Sequence, residues 1–408
     1  MKRYIAFLLV ILALCGCSHN APDPTTVTTT AATTTPTTES ISTEPETIPT
    51  TQQTQPTEAP TVPVTAGFDT LKILEGLSLE EKVGQLFLTG CPGANAVSQL
   101  QKYHLGGYVL FNADTRSETY KSLQETIAAY QEASTIPMFI AVDEEGGTVC
   151  RVSCVSAIRK NRFPSPRDLY DQGGMELALS TEEEKSLLLK DLGINVNLGP
   201  VCDITTKPSA FMYPRSLGQS PEITGEFAAK MCAVMAQNQV GSVLKHFPGY
   251  GNNTDTHTAV ARDKRTLDEL ESRDLIPFAA AIESGCDAIM VSHTIVECLD
   301  PVYPASLSPA VHQYLRSKMV FGGVIITDDL VMQAVTDLYG AGEAAVLAVL
   351  AGNDMLCVSN YAVPYKAVLA AAEEGRIPME LLDLAVERIL LWKYRLGLFD
   401  EEFSSDLT

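Results

Sequence analysis

Gly241-Ser-Val-Leu-Lys-His-Phe-Pro-Gly-Tyr-Gly-Asn-Asn-Thr-Asp-Thr-His257 begins as a short apolar run and ends as a polar loop. Gly241 to Leu244 reads as a short buried strand, and Pro248, Gly249 and Gly251 interrupt any regular element after it. Lys245, His246, Asp255 and His257 follow in quick succession. A strand end that empties into such a loop is where α/β proteins place their chemistry. The sheet aims the side chains, and the glycines let a ligand come close.

Working outward, the same kind of apolar, β-branched run recurs along the chain. The runs are Gln85–Leu88, Gly107–Phe111, Met138–Val142, Ile194–Val201, Val243–His246, Ala288–Ser292, Val324–Thr327 and Met355–Val358. Stretches with a helical period separate them. Gly67 to Gly84 carries Leu71, Leu74, Leu77, Leu79 and Val83, with Ser78 ahead of Glu80 and Glu81 as a helix cap. Asp383–Leu398 is an amphipathic helix that closes the pattern. Strands alternating with helices imply parallel strands joined by crossovers. Eight of them predict an α/β fold, a (β/α)8 TIM-type barrel formed by one catalytic domain over residues 67–408. The rival, an open doubly wound sheet, wants a glycine-rich phosphate turn after its first strand, and Thr89-Gly-Cys-Pro-Gly93 is a poor match.

The start of the chain is different in kind. Met1-Lys-Arg3, the apolar run Ile5 to Leu14 and the small-residue exit Leu14-Cys-Gly-Cys17 have the form of an export signal, too short to span a bilayer stably. Residues 18–66, dominated by Thr, Pro, Ser, Ala, Gln and Glu, offer no apolar period and read as a disordered Thr/Pro-rich linker. Pro-rich chain extends about 3.1 Å per residue, so this tether reaches up to about 150 Å. The net charge of -21 excludes a nucleic-acid partner, whose phosphates are met by Lys and Arg clusters. Of ten cysteines, none has the paired spacing of a zinc site. Cys150 and Cys154 are either a pair formed after export or buried free thiols.

In a barrel the carboxyl ends of the strands converge on one face. Those ends carry Asp143-Glu-Glu-Gly-Gly147 after the third run, Lys245-His246 after the fifth, His293 after the sixth and Asp328-Asp329 after the seventh. One of the last two acids suits a helix N-cap, and Asp329 is assigned that part. Glu144 suits the cap of the turn before Gly146-Gly147. A metal site at this mouth would want a His-x-His pair on the first strand; residues 85–90 have none, so neither metal nor other cofactor is expected.

Lys245-His246-Phe-Pro-Gly-Tyr-Gly with Asp255-Thr-His257 resembles the signature of glycoside hydrolase family 3, in its β-N-acetylglucosaminidase branch. The resemblance spans most of residues 70–400. It implies that Asp328 is the nucleophile of a retaining double displacement and that His257, oriented by Asp255, is the acid/base. An unperturbed imidazole pKa of about 6.5 suits that exchange of protons near neutrality. It further implies that Asp143, Arg151, Arg215, Lys245 and His246 hold the sugar, although an ordinary ion pair is an alternative for Arg215. The expected substrate is a glycan with terminal β-linked N-acetylglucosamine, from peptidoglycan fragments or chitooligosaccharides. Leu14-Cys-Gly-Cys17 resembles a lipoprotein box, with residues 1–17 removed or processed around Cys17 as the lipid anchor to the outer face of the membrane; simple release is the alternative.

Three positions depart from the family pattern. Thr148 stands where many relatives carry Arg, Tyr250 stands where His is frequent, and Asn252-Asn-Thr254 is one residue shorter than in several relatives. Two other readings stay open within the family, a β-glucosidase and a phosphorylase in which phosphate replaces water, because a neutral imidazole does not repel an anionic acceptor. A non-catalytic sugar-binding surface lipoprotein is the reading from outside enzymology.

Overall fold

The computed structural model describes residues 70–253 and 261–399. Its centre is an eight-stranded parallel sheet: β1 Phe87–Gly90, β2 Gly107–Leu110, β3 Phe139–Val142, β4 Val196–Asn197, β5 Gly241–Phe247, β6 Ala288–Val291, β7 Val324–Thr327 and β8 Leu356–Val358. β8 pairs with β1, and a parallel bridge from Ile326 to Met355 joins β7 to β8, so the sheet closes into the expected (β/α)8 barrel. Nearly every strand residue is buried, as parallel strands covered by helices require.

Helices of the outer ring begin where the sequence supplies caps. Ser165-Pro166, Ser220-Pro221 and Ser308-Pro309 each place a hydroxyl acceptor at the N-cap and a proline at the first helical position, whose missing N–H costs nothing there. The Ser78 capping box is present, with Ser78 and Glu81 exchanging side-chain-to-backbone bonds of 2.9 and 3.2 Å. The helical stretch predicted over 67–84 is two helices, Thr70–Gly76 and Leu79–Gln85, and the second delays the first strand by two residues to Phe87. The fourth run pairs in the ladder only at Val196–Asn197, with one further bridge from Val201 to Lys245. Pro200 has no N–H to offer a ladder.

Helix Met379–Arg395 packs across the amino-terminal end of the barrel and buries Leu382, Val386, Ile389, Leu390 and Trp392. The indole lies 4.4 Å, centroid to centroid, from the Phe139 ring and against the start of β5. A Cβ on Gly241 would come within 2.7 Å of it, which is why a strand interior carries glycine there. All eight cysteines among the described residues are free thiols, including Cys150 and Cys154. No described helix is long and apolar enough to cross a membrane.

Candidate active site

The loop after β3 separates three consecutive acids by direction. Asp143 accepts from Lys245 Nζ at 2.7 Å and from Arg151 Nη2 at 3.2 Å. Glu145 accepts from Lys245 Nζ at 2.7 Å and from Arg215 Nε and Nη2 at 2.9 and 2.6 Å. Glu144 points away and accepts from the backbone N–H groups of Arg151, Val152 and Ser153, so it closes the turn as its neighbourhood in the sequence suggested. Gly146 makes the arrangement possible. It sits at φ 95°, and a Cβ there would fall 2.2 Å from the Pro164 carbonyl oxygen.

Lys245 is therefore the centre of a buried chain, Arg151–Asp143–Lys245–Glu145–Arg215. Burial alone would lower the lysine's pKa, but Asp143 and Glu145 outweigh it and hold the ammonium above its ordinary value. Burial would raise Glu145, yet Lys245 and Arg215 keep it well below the usual carboxylate range. The bidentate Glu145 pair holds Arg215 charged despite burial. Arg215, expected in the sugar-binding shell, thus lines the cavity while most of its fork is engaged by Glu145. It is neither a free donor nor a surface ion pair.

Where β4 and β5 end, Asp203 is fully buried between them. Its carboxylate accepts from His246 Nδ1 at 2.7 Å, from His246 N at 3.2 Å and from Tyr250 N at 2.7 Å. The Tyr250 ring stands edge-on to the imidazole, with centroids 5.1 Å apart. Asn252 then ties this loop to the one after β4, accepting from Thr205 Oγ1 at 2.9 Å and Thr206 N at 3.1 Å. On the returning side Arg265 donates to the Gly249 carbonyl at 3.0 Å and pairs with Asp263 and Asp274. Asp255 and His257 lie outside the described residues, between these two anchored ends.

At β6 and β7 the expected helix cap is corrected. The helix after β7 is Gln333–Tyr339 with Met332 at its N-cap, too far on for Asp329. Asp329 instead accepts from Val331 N and Ser359 N, both at 3.1 Å, and from Ser359 Oγ at 2.5 Å, binding the β7 loop to the β8 loop. His293 supports it from below: Nε2 donates to the Asp329 carbonyl at 3.0 Å, and Nδ1 meets Ser306 Oγ at 2.7 Å. This buried imidazole does not line the cavity. Asp328 does.

Asp143, Arg151, Arg215, Lys245, His246 and Asp328 together line one cavity of about 410 Å³, with Phe111, Phe211, Tyr250, Met290 and Cys357 as apolar walls. An aromatic wall with a few convergent polar groups suits a sugar ring, whose faces are C–H and whose rim is hydroxyl. The expected residues that fall among those described are thus brought to one place. Thr148 is exposed and outside that lining. Among the described residues no group of three or more His, Cys, Asp or Glu is placed to hold a metal ion. Glu145 and Asp203 were missed by the sequence reading. The carboxylate-at-a-strand-end argument, applied to the fourth run as to the others, would have reached Asp203; nothing local distinguishes Glu145 from Glu144.

The model of the glycosyl hydrolase family 3 N-terminal domain matches residues 78–391. Beta-hexosaminidase LpqI of Mycobacterium tuberculosis is 31% identical over 332 residues, covering 78% of this chain and 83% of that one. A secreted glycosyl hydrolase of Arthroderma benhamiae is 28% identical over 342 residues, 79% of this chain and 95% of its own. Among solved structures, a family 3 β-N-acetylglucosaminidase from Paenibacillus superposes with a TM-score of 0.74 at 30% identity, over 81% of this chain and 68% of that one.

Proposed function

The chain belongs to glycoside hydrolase family 3, and from that membership we propose that it is a β-N-acetylglucosaminidase of the retaining, exo-acting kind. Its substrates are glycans ending in β-linked N-acetylglucosamine, peptidoglycan fragments first and chitooligosaccharides second. The observation that carries this reading is the shared cavity: Asp328, at the end of β7, opens into the same space as the Arg151–Asp143–Lys245 chain and His246. Asp328 is the carboxylate we assign to act on the sugar that the others hold.

In the first step an Asp328 carboxylate oxygen bonds to the anomeric carbon while the glycosidic C–O bond breaks, and His257 gives its proton to the departing oxygen. In the second, His257 takes a proton from water, the hydroxide oxygen bonds to the anomeric carbon, and the ester to Asp328 breaks. Asp255 orients the ring throughout. The family resemblance gives His257 and Asp255 these parts; both lie outside the described residues. Asp143 accepts from sugar hydroxyls, and Arg151, Arg215, Lys245 and His246 complete the shell that holds the ring. The lysine's two carboxylate partners fix its ammonium in place before substrate arrives.

Export fits the signal-like start, and the secreted relative supports it. We place a signal over residues 1–17, a Thr/Pro tether over 18–66 and the catalytic unit over 67–408, with Cys17 as a lipid anchor; the signal, the tether and Cys17 lie outside the described residues. Mass analysis of the mature amino terminus tests the anchor, and an unmodified Cys17 overturns it.

Incubation with a ring-fluorinated N-acetylglucosaminyl donor, followed by peptide mapping, is expected to find the label on Asp328; a label elsewhere overturns the assignment. A chromogenic N-acetylglucosaminide is expected to be cleaved well ahead of the matching glucoside. Muropeptide fragments with and without phosphate are expected to give free N-acetylglucosamine in both cases; a sugar 1-phosphate makes the enzyme a phosphorylase.

A further inference from the structure

Asp203 touches none of the cavity, yet three N–H groups converge on it from the strand end and loop that carry the site. Its side chain is fully buried against the His246 ring. Oδ2 takes both the backbone N–H and the Nδ1 of His246, and Oδ1 takes the backbone N–H of Tyr250. The attachment is reinforced on both sides. Cys202 N donates to the Lys245 carbonyl at 2.7 Å, and Asn252 binds the residues just after Asp203.

We infer that Asp203 is a positioning residue with two tasks: it fixes the proton of His246 on Nδ1, and it clamps the root of the loop that leads to residues 254–260. A carboxylate only accepts, so the shared proton belongs to the ring, on Nδ1. In the neutral ring Nε2 is then a bare lone pair. His246 lines the cavity, and among the described residues no hydrogen bond engages its Nε2, so it is available to accept from a sugar hydroxyl. His246 thereby becomes an acceptor beside Lys245 and Arg151, which only donate. The second task follows from Oδ1. Tyr250 is four residues ahead of Thr254, and the Asp203 bond to its N–H sets the direction in which the chain leaves β5.

The effect on turnover rests on the glycosidase reading; the tautomer does not. It is read without substrate, from the nitrogen-15 spectrum of the intact chain labelled in its histidines. The expected result is a protonated Nδ1 and a bare Nε2 at His246 above the ring's titration, and the opposite tautomer overturns the first task. Asp203→Asn leaves one acceptor oxygen, which serves either His246 or Tyr250 but not both. With its melting temperature and circular dichroism near those of the wild type, this variant is expected to lose at least tenfold in kcat/KM on a chromogenic N-acetylglucosaminide. A loss of less than twofold overturns the proposal. Adding Asp203→Ala to His246→Ala, with circular dichroism kept near that of the single variant, is expected to slow kcat at least a further threefold, because the Tyr250 N–H then loses its acceptor; equality of the two removes the second task. A wild type that turns over no N-acetylglucosaminide refutes the glycosidase reading instead, and the spectrum still decides the tautomer.

Discussion

Lys245 and Lys393 are both fully buried in the same barrel and are treated in opposite ways. Lys245, at the carboxyl end of β5, has two carboxylates at 2.7 Å and is held charged above its ordinary pKa. Lys393, on the helix closing the amino-terminal end, has among the described residues only Gln85 Oε1 at 2.6 Å and the Phe139 ring nearby, and burial pushes it down to about 7. Desolvation acts on both, so partner charges make the difference. Acids at the closed end are either used up, as Asp354 is by Arg316 and Arg388, or driven toward neutrality, as Asp287 is by burial, up to about 6. At the mouth, buried charge faces a cavity and can be spent on a ligand; at the closed end it is matched by its own partners or lost to desolvation.

The contrast is broken most severely at the open end. Asp328→Asn keeps the shape of the cavity and removes the attacking carboxylate; steady-state hydrolysis of a chromogenic N-acetylglucosaminide is expected to fall about 10⁴-fold, as loss of a nucleophile typically does. Retention of more than a hundredth of the activity would separate Asp328 from the chemistry. Lys245→Met leaves Asp143 and Glu145 facing each other without their shared cation. Denaturant titration is expected to show a loss of about 3–5 kcal/mol, the usual cost of breaking a buried pair, with sugar binding lost as well.

The closed end is expected to respond with the opposite sign. The unfolded chain keeps the Lys393 proton up to its ordinary value of 10.5, whereas the folded chain releases it near 7. Between those values the unfolded state binds more protons, so this group makes stability rise with pH, by at most about 1.4 kcal/mol per unit. Lys393→Met is expected to be more stable than the wild type at pH 6, with the gap narrowing as pH rises from about 7 toward 10. A pH-independent difference would mean that the lysine is charged in the folded protein. The smallest effect belongs to Thr148→Arg, exposed and outside the cavity lining: stability within about 0.5 kcal/mol by thermal melting, and activity on a small chromogenic substrate changed by less than threefold. A larger change in activity would extend the site over the rim.

Periodicity and punctuation made the eight strands, the closing helix and the Ser78 cap legible, because each rests on residues close in sequence. Strand boundaries slipped where a neighbour overrode the pattern, as when the Leu79–Gln85 helix took Gln85 to meet Lys393. The principle that strand ends meet on one face gathered Asp143, Lys245, His246, His293 and Asp328 before any distance was measured, and the family resemblance added Arg151 and Arg215; all of these except His293 line the cavity. Which acid serves which partner was a different matter. Asp143, Glu144 and Glu145 are adjacent and chemically alike, and only the turn at Gly146 and the position of Lys245, about a hundred residues later, assigns them. Asp329 read as a helix cap from its neighbours and became a tie between two loops once Ser359 was placed beside it. The sequence by itself determined the barrel and the roster of its mouth, since backbone geometry carries local pattern into topology. The charge state of a buried side chain, and the direction in which a carboxylate points, depend on groups far along the chain, and those only the tertiary structure decided.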